Sequence, residues 1–141
     1  LDQAIAAYES AVEQQTVAYN ASKQTPRYRE FLSKHYFNYA RLLLETKRAP
    51  QAVAIALKRR ELWQGNGERL ASVAEEFREI ASQITQTSSS DSEAVISQSD
   101  CADYARETLR MAIENGYNPT GELLDRPEYH SLRQMIHVDG T

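Results

Sequence analysis

Residues 28–63 read YREFLSKHYFNYARLLLETKRAPQAVAIALKRRELW, and this stretch decides the fold class. Tyr28, Phe31, Leu32, His35 or Tyr36, Tyr39, Ala40 and Leu43 fall three and four apart, the spacing that places side chains on one face of a helix. Thr25-Pro26 marks its start: Thr offers a capping oxygen, and Pro fits a first turn because its missing N–H would have had no partner there. The helix is expected to end near Thr46–Ala49. A second one follows from Pro50 to Trp63, with Ala52, Val53, Ala56, Leu57 and Arg60 along its stripe. Two amphipathic helices joined by so short a turn predict a hairpin. Upstream, Leu1–Ala21 repeats the pattern through Ala4, Tyr8, Ala11, Val12 and Gln15 or Thr16. Gln3-Ala4-Ile5-Ala6 returns as Gln51-Ala52-Val53-Ala54, 48 residues later, which points to repeated hairpins.

Beyond Gly65-Asn66-Gly67, with Asn66 as a plausible cap, Leu70, Val73, Ala74, Phe77, Ile80, Ala81 and Ile84 form the cleanest amphipathic stripe. Thr85–Asp100 holds eight Ser or Thr among sixteen residues, with Val95 and Ile96 its only large apolar side chains, and reads as a mobile loop. A further helix is expected from Asp100 to Asn115. Cys101, Ala105, Thr108, Leu109 and Ala112 lie on its inner face, and Gly116 follows as C-terminal cap. Asp125-Arg-Pro-Glu128 predicts a cap and a short helix bearing Tyr129, Leu132, Met135 and Ile136.

The composition of the 141 residues agrees: 18 Ala against 5 Gly and 4 Pro favours helix and argues against an all-β sandwich or a disordered chain. The length suits a single domain, 1–141, with residues 101–141 closing the open end of a helical array as a capping tail. No apolar run approaches the roughly 18–20 residues that cross a bilayer. The lone cysteine forms no internal disulfide, which fits a reducing cytoplasm. The chain opens at Leu1 without Met, already in amphipathic pattern, so it is expected to be a piece of a longer protein.

The helical order resembles the tetratricopeptide regions that follow Ser/Thr protein kinase domains in bacteria, especially planctomycetes. The resemblance rests on QAIAAYESAVEQQ (3–15), on the hairpin above, and on DYARETLRMAIENGYNPTGELLDRPEYHSLRQM (103–135). Tyr36, the Tyr39–Ala40 pair and Leu43 match the first-helix pattern of a tetratricopeptide repeat, and Ala52, Ala56 and Arg59 stand at its second-helix sites. Arg59 stands where a small residue is usual and Ala56 where an aromatic is usual, so atypical inner packing is expected. The resemblance implies an all-α array of antiparallel hairpins in a tetratricopeptide-like superhelix, and a kinase or other effector domain upstream. It implies that the first helix of a repeat lines a concave face, which would present Lys34, Phe37, Asn38, Arg41 and Glu45 to a peptide. Asn38 matches a position used to hold a bound peptide's backbone or carboxylate.

Charge is unevenly placed. Residues 1–22 carry −3, residues 23–60 carry +8 and residues 61–141 carry −9. The basic block serves either internal pairing or a binding surface. An acidic protein or peptide is the favoured partner, with a nucleic-acid-binding module built on residues 23–60 as the alternative, and a homodimer is compatible with either. No enzyme is expected in this segment: it holds no glycine-rich phosphate loop, no His-Arg-Asp and no Asp-Phe-Gly. His35 sits among aromatics, and His130 and His137 lack a third ligand, so no metal or cofactor is expected. Cys101 lies near a helix start, where its pKa would fall, but reads as a small core residue. Glu75, Glu76 and Glu79 read as a solvated face.

Overall fold

A computed structural model describes residues 2–86 and 96–137. Its elements are α1 (Asp2–Ala21), α2 (Pro26–Glu45), α3 (Ala49–Leu62), α4 (Gly67–Gln86), α5 (Gln98–Glu114), α6 (Gly121–Leu124), a 3-10 helix (Pro127–Leu132) and α7 (Arg133–His137). The protein is all-helical, with no strand among the described residues. Its packing divides into two compact units, Leu1–Leu62 and Trp63–Thr141.

In the first unit α2 packs against both α1 and α3. Its buried side chains are Leu32, Ser33, Tyr36, Ala40 and Leu43. Contacts with α1 run in reversed order along the two helices. Tyr8 stacks on Tyr39 with ring centroids 6.2 Å apart, Thr16 lies beside Tyr36, and the Arg29 guanidinium sits 5.9 Å from the Tyr19 ring. Ala40, Ala52 and Ala56 are all buried, and small side chains at these places permit close helix approach.

Several positions differ from the sequence pattern. In α1, Ile5 is buried and Ala4 exposed, so the two copies of the repeated tetrapeptide match at Ile5 and Val53 but not at Ala4 and Ala52. In α3 the stripe turns toward Ile55 and Arg59, leaving Leu57 and Arg60 half-buried. Phe31 is exposed. Thr25 makes no side-chain cap; its hydroxyl is shared with Ser22, Oγ to Oγ1 2.7 Å. The end of α2 is closed without glycine. Lys47 takes a left-handed φ of 64°, and the N–H groups of Arg48 and Lys47 donate to the carbonyls of Leu43 (2.8 Å) and Leu44 (3.0 Å).

The second unit is built on α4 and α5, which pack along each other. Leu70, Val73, Ala74, Phe77, Ile80 and Ala81 of α4 are buried, as are Cys101, Ala105, Thr108, Leu109 and Ala112 of α5. Phe77 stacks on Tyr104 at 5.4 Å. The segment read as a tail therefore supplies α4's partner helix. The start of α4 meets the end of α5 so closely that a Cβ on Gly67 would lie 2.9 Å from both the Ala112 and Asn115 carbonyl oxygens. Both helix ends there are capped. The Asn66 Oδ1 accepts from the Arg69 N–H at 3.1 Å, and Gly116, at φ 95°, lets the Tyr117 N–H reach the Ala112 carbonyl at 2.9 Å.

Of the expected loop at 85–100, residues 87–95 lie outside the described residues; Thr85 and Gln86 belong to α4 and Gln98–Asp100 to α5. The helix begins earlier than its periodicity implies because Ser97 and Asp100 form a capping box, each side chain accepting from the other's N–H at 3.0 Å. These bonds hold the Asp100 carboxyl below its ordinary pKa. The box thus persists above the carboxylate range and is lost only as the pH falls through that lowered value. After Gly116 the chain makes α6, capped by Thr120, which the sequence pattern did not reveal. Pro127–Leu132 is a 3-10 rather than an α-helix, with Tyr129 and Leu132 buried. Arg78 ties α4 to it: Nε donates to Glu128 at 2.8 Å, and the guanidinium lies 5.9 Å from the Tyr129 ring.

Candidate functional site: the outward face of α2

A helix packed on two neighbours buries one broad stripe and leaves the opposite side to solvent. At 100° per residue, Lys34, Asn38, Arg41 and Glu45 fall opposite Tyr36 and Ala40, while Phe37 falls at the border with α3. Lys34, Arg41 and Glu45 are exposed, and Phe37 and Asn38 half-buried. The five residues singled out from the sequence thus share one side of a single helix, Phe37 at its edge. Lys34 and Arg41 stand seven residues apart along α2, about 10 Å at the helical rise.

Two guanidinium groups lie over the Phe37 ring. The Arg41 guanidinium lies 5.6 Å from its ring, and that of Arg59, from α3, lies 5.1 Å away. Arg59 is 92% buried, and its Nε donates to the Ser33 Oγ at 3.2 Å. A planar cation thus fills the space between α2 and α3 here. Stacking on an aromatic face is a geometry arginine accepts and lysine satisfies poorly.

The ten cations of the basic block differ in their surroundings, and Lys23, Lys47 and Lys58 are exposed outside α2. Arg29, Arg48, Arg59 and Arg60 have internal partners. Arg27, Lys34 and Arg41 make no salt bridge among the described residues, and all three point outward from α2. Their charge is therefore available to an anion, with the Asn38 amide between Lys34 and Arg41 able to donate and accept. Glu45 sets an acidic limit at the C-terminal end.

Sequence reasoning missed Arg27 and Phe31, which extend the same side of α2. Phe31 fits the three-and-four spacing of the core stripe, but it lies about 140° from Tyr36 at 100° per residue. It belongs instead to the outward series Arg27, Phe31, Lys34, Asn38, Arg41. That series has the same spacing as the core series, so only the angle separates them.

The other sites considered from sequence resolve into structural roles. Gly65-Asn66-Gly67 is a turn and cap. Glu75 pairs with Arg78 at 2.5 Å on the surface of α4, whereas Glu76 is buried, contrary to the solvated face expected. His35 is half-buried. His130 is exposed, with Nε2 2.8 Å from the Asp125 carbonyl oxygen. No group of three metal-ligating side chains occurs among the described residues. No helix there is long and apolar enough to cross a membrane. A cleft of about 570 Å³ lies between Arg78, Ser82, Ser99 and Pro127, but Arg78 is held there by Glu75 and Glu128.

Cys101 departs from the activation that a helix start would give. It is fully buried, and burial, reinforced by the Asp100 carboxylate, pushes its thiol up to about 11. At pH 8 only about one molecule in a thousand then carries a thiolate, before access is counted. The folded protein should therefore resist a thiol reagent at pH 8, and labelling followed by mass should appear only as the second unit unfolds. Prompt labelling would show that Cys101 is reachable.

Comparisons with protein-family models, curated proteins and solved structures find no match for this chain.

Proposed function

We propose that this chain is a protein-interaction module: an array of antiparallel helical hairpins, tetratricopeptide-like, whose α2 face receives a peptide. The observation that carries this reading is the sorting of cations within residues 23–60. Arg29, Arg48, Arg59 and Arg60 have partners within the chain, while Arg27, Lys34 and Arg41 line the outward side of α2 around Asn38 and make no salt bridge among the described residues. Such a face costs solubility nothing and attracts carboxylates over the Debye length, about 8 Å at physiological salt. Charge complementarity of this kind steers encounter and fixes orientation more than it adds raw affinity. The reversed order of contacts between α1 and α2 supports the hairpin architecture. We further assign the module to a larger cytoplasmic signalling protein such as a Ser/Thr kinase, on the order of its helical segments; a kinase signature upstream of Leu1 in the reading frame tests that assignment.

The peptide reading is tested by fluorescence anisotropy with a labelled peptide rich in Glu and its counterpart with Gln throughout. The Glu peptide should bind and the Gln peptide should not. Reversing two charges, Lys34→Glu with Arg41→Glu, should weaken binding by more than about ten-fold, each 1.4 kcal/mol being one factor of ten. Equal binding of the two peptides, or an unchanged double variant, rejects this face as the site. A preference for nucleic acid would instead appear as retention on heparin that collapses steeply with salt.

A further inference from the structure

The outward face of α2 begins one turn earlier than the residues that suggested it. Phe31 is 41% exposed, with the Arg27 guanidinium 5.7 Å from its ring. Leaving so large an apolar side chain in water forgoes a substantial part of the roughly 1.5–3 kcal/mol that burial of a Phe is worth. The other ring, Phe37 at the border with α3, is half-buried, with the Arg41 and Arg59 guanidinium groups over it. Phe31 is therefore the open apolar surface of the strip, and it lies among cations.

We propose that Arg27 and Phe31 form an anchor subsite, and that the occupant of this face is an acidic peptide carrying one apolar or aromatic side chain, seated on Phe31. This rests on the peptide-binding reading of α2 and deepens it by naming the ligand's pattern. Three outward cations, Arg27, Lys34 and Arg41, make no salt bridge among the described residues, which sets the sign of the partner. The ring sets its apolar element. Arg27 beside the ring favours a contact that excludes water, because a cation–π pair strengthens as it is desolvated. Spacing fixes the register. Phe31 and Arg41 are ten residues apart along α2, about 15 Å at the helical rise. An extended peptide covers that in four or five residues at about 3.3 Å each. The anchor residue and the carboxylate that meets Arg41 should then be separated by that number of positions.

Three labelled nine-residue peptides of Glu and Ser test this on the full chain. One carries a Phe five positions from its terminal Glu, the second has Ser in place of that Phe, and the third keeps the Phe beside the terminal Glu. The first should bind about ten-fold more tightly than the other two, equivalent to one apolar contact. Phe31→Ala should bring all three within about two-fold of one another, and Phe31→Leu should keep most of the preference. Both variants alter an exposed position, and unchanged circular dichroism verifies their fold. Equal binding of the three peptides to the wild type overturns the subsite while leaving the α2 peptide reading intact. No binding by any of them rejects both. Tighter binding of an oligouridylate than of all three peptides also overturns the proposal, in favour of nucleic acid on this face.

Discussion

Removing residues 101–141 should unfold the second unit rather than merely lower its melting point. The deletion takes away α5, against which α4 is packed, and the 3-10 helix that Arg78 of α4 reaches through Glu128. Leu70, Val73, Phe77 and Ile80, all 2% exposed or less, would then face water. Each such side chain is worth roughly 1.5–3 kcal/mol when buried. Four of them together match the entire stability of about 5–15 kcal/mol that a small domain possesses. An isolated helix as short as α4 is marginal in water, so Gly67–Gln86 should lose its structure too. Circular dichroism should register a loss of ellipticity well beyond the residues removed, together with binding of a hydrophobic dye. A truncated chain that keeps the ellipticity of α4 would show that α5 is not what holds it.

Gly67→Ala should destabilise the second unit by about 1–3 kcal/mol, the range for forcing extra atoms into a close-packed site. The sign is the informative part. Helix propensity alone favours Ala over Gly by up to about 1 kcal/mol, and Gly67 has no left-handed φ that would demand glycine. Against this, the added Cβ would meet the carbonyl oxygens of Ala112 and Asn115 at 2.9 Å and the Tyr117 nitrogen at 3.0 Å. All three are backbone atoms of a capped helix end, so no side chain can swing aside. The clash prevails. Gly121→Ala is the matched control, since a Cβ there meets nothing within 4 Å, and it should be neutral or slightly stabilising. Chemical denaturation of the two variants compares them directly; a Gly67→Ala protein at least as stable as the control would refute the close approach.

The outward strip of α2 was partly legible. The resemblance named Lys34, Phe37, Asn38, Arg41 and Glu45; Lys34, Arg41 and Glu45 are exposed on the outward side of α2, Asn38 is half-buried there, and Phe37 lies at the border with α3. Phe31 was not legible, because an aromatic at helical spacing reads as core until the angle about the axis is fixed by what packs on the helix. The burial of Arg59 was likewise not legible from its own helix. Its role needs Ser33 and Phe37, which lie 26 and 22 residues away along the chain.

The sequence by itself determined that the chain is helical, where five long helices run to within a few residues, and which side chains of α4 and α5 face inward. Those properties follow from the 3.6-residue period, which is local. Only the tertiary structure decided that α5 is the partner of α4, that Gly67 marks a backbone contact, and that Glu76 and Arg59 are buried. Each of these depends on what lies across an interface, and the pattern of one helix carries no record of the surface it meets.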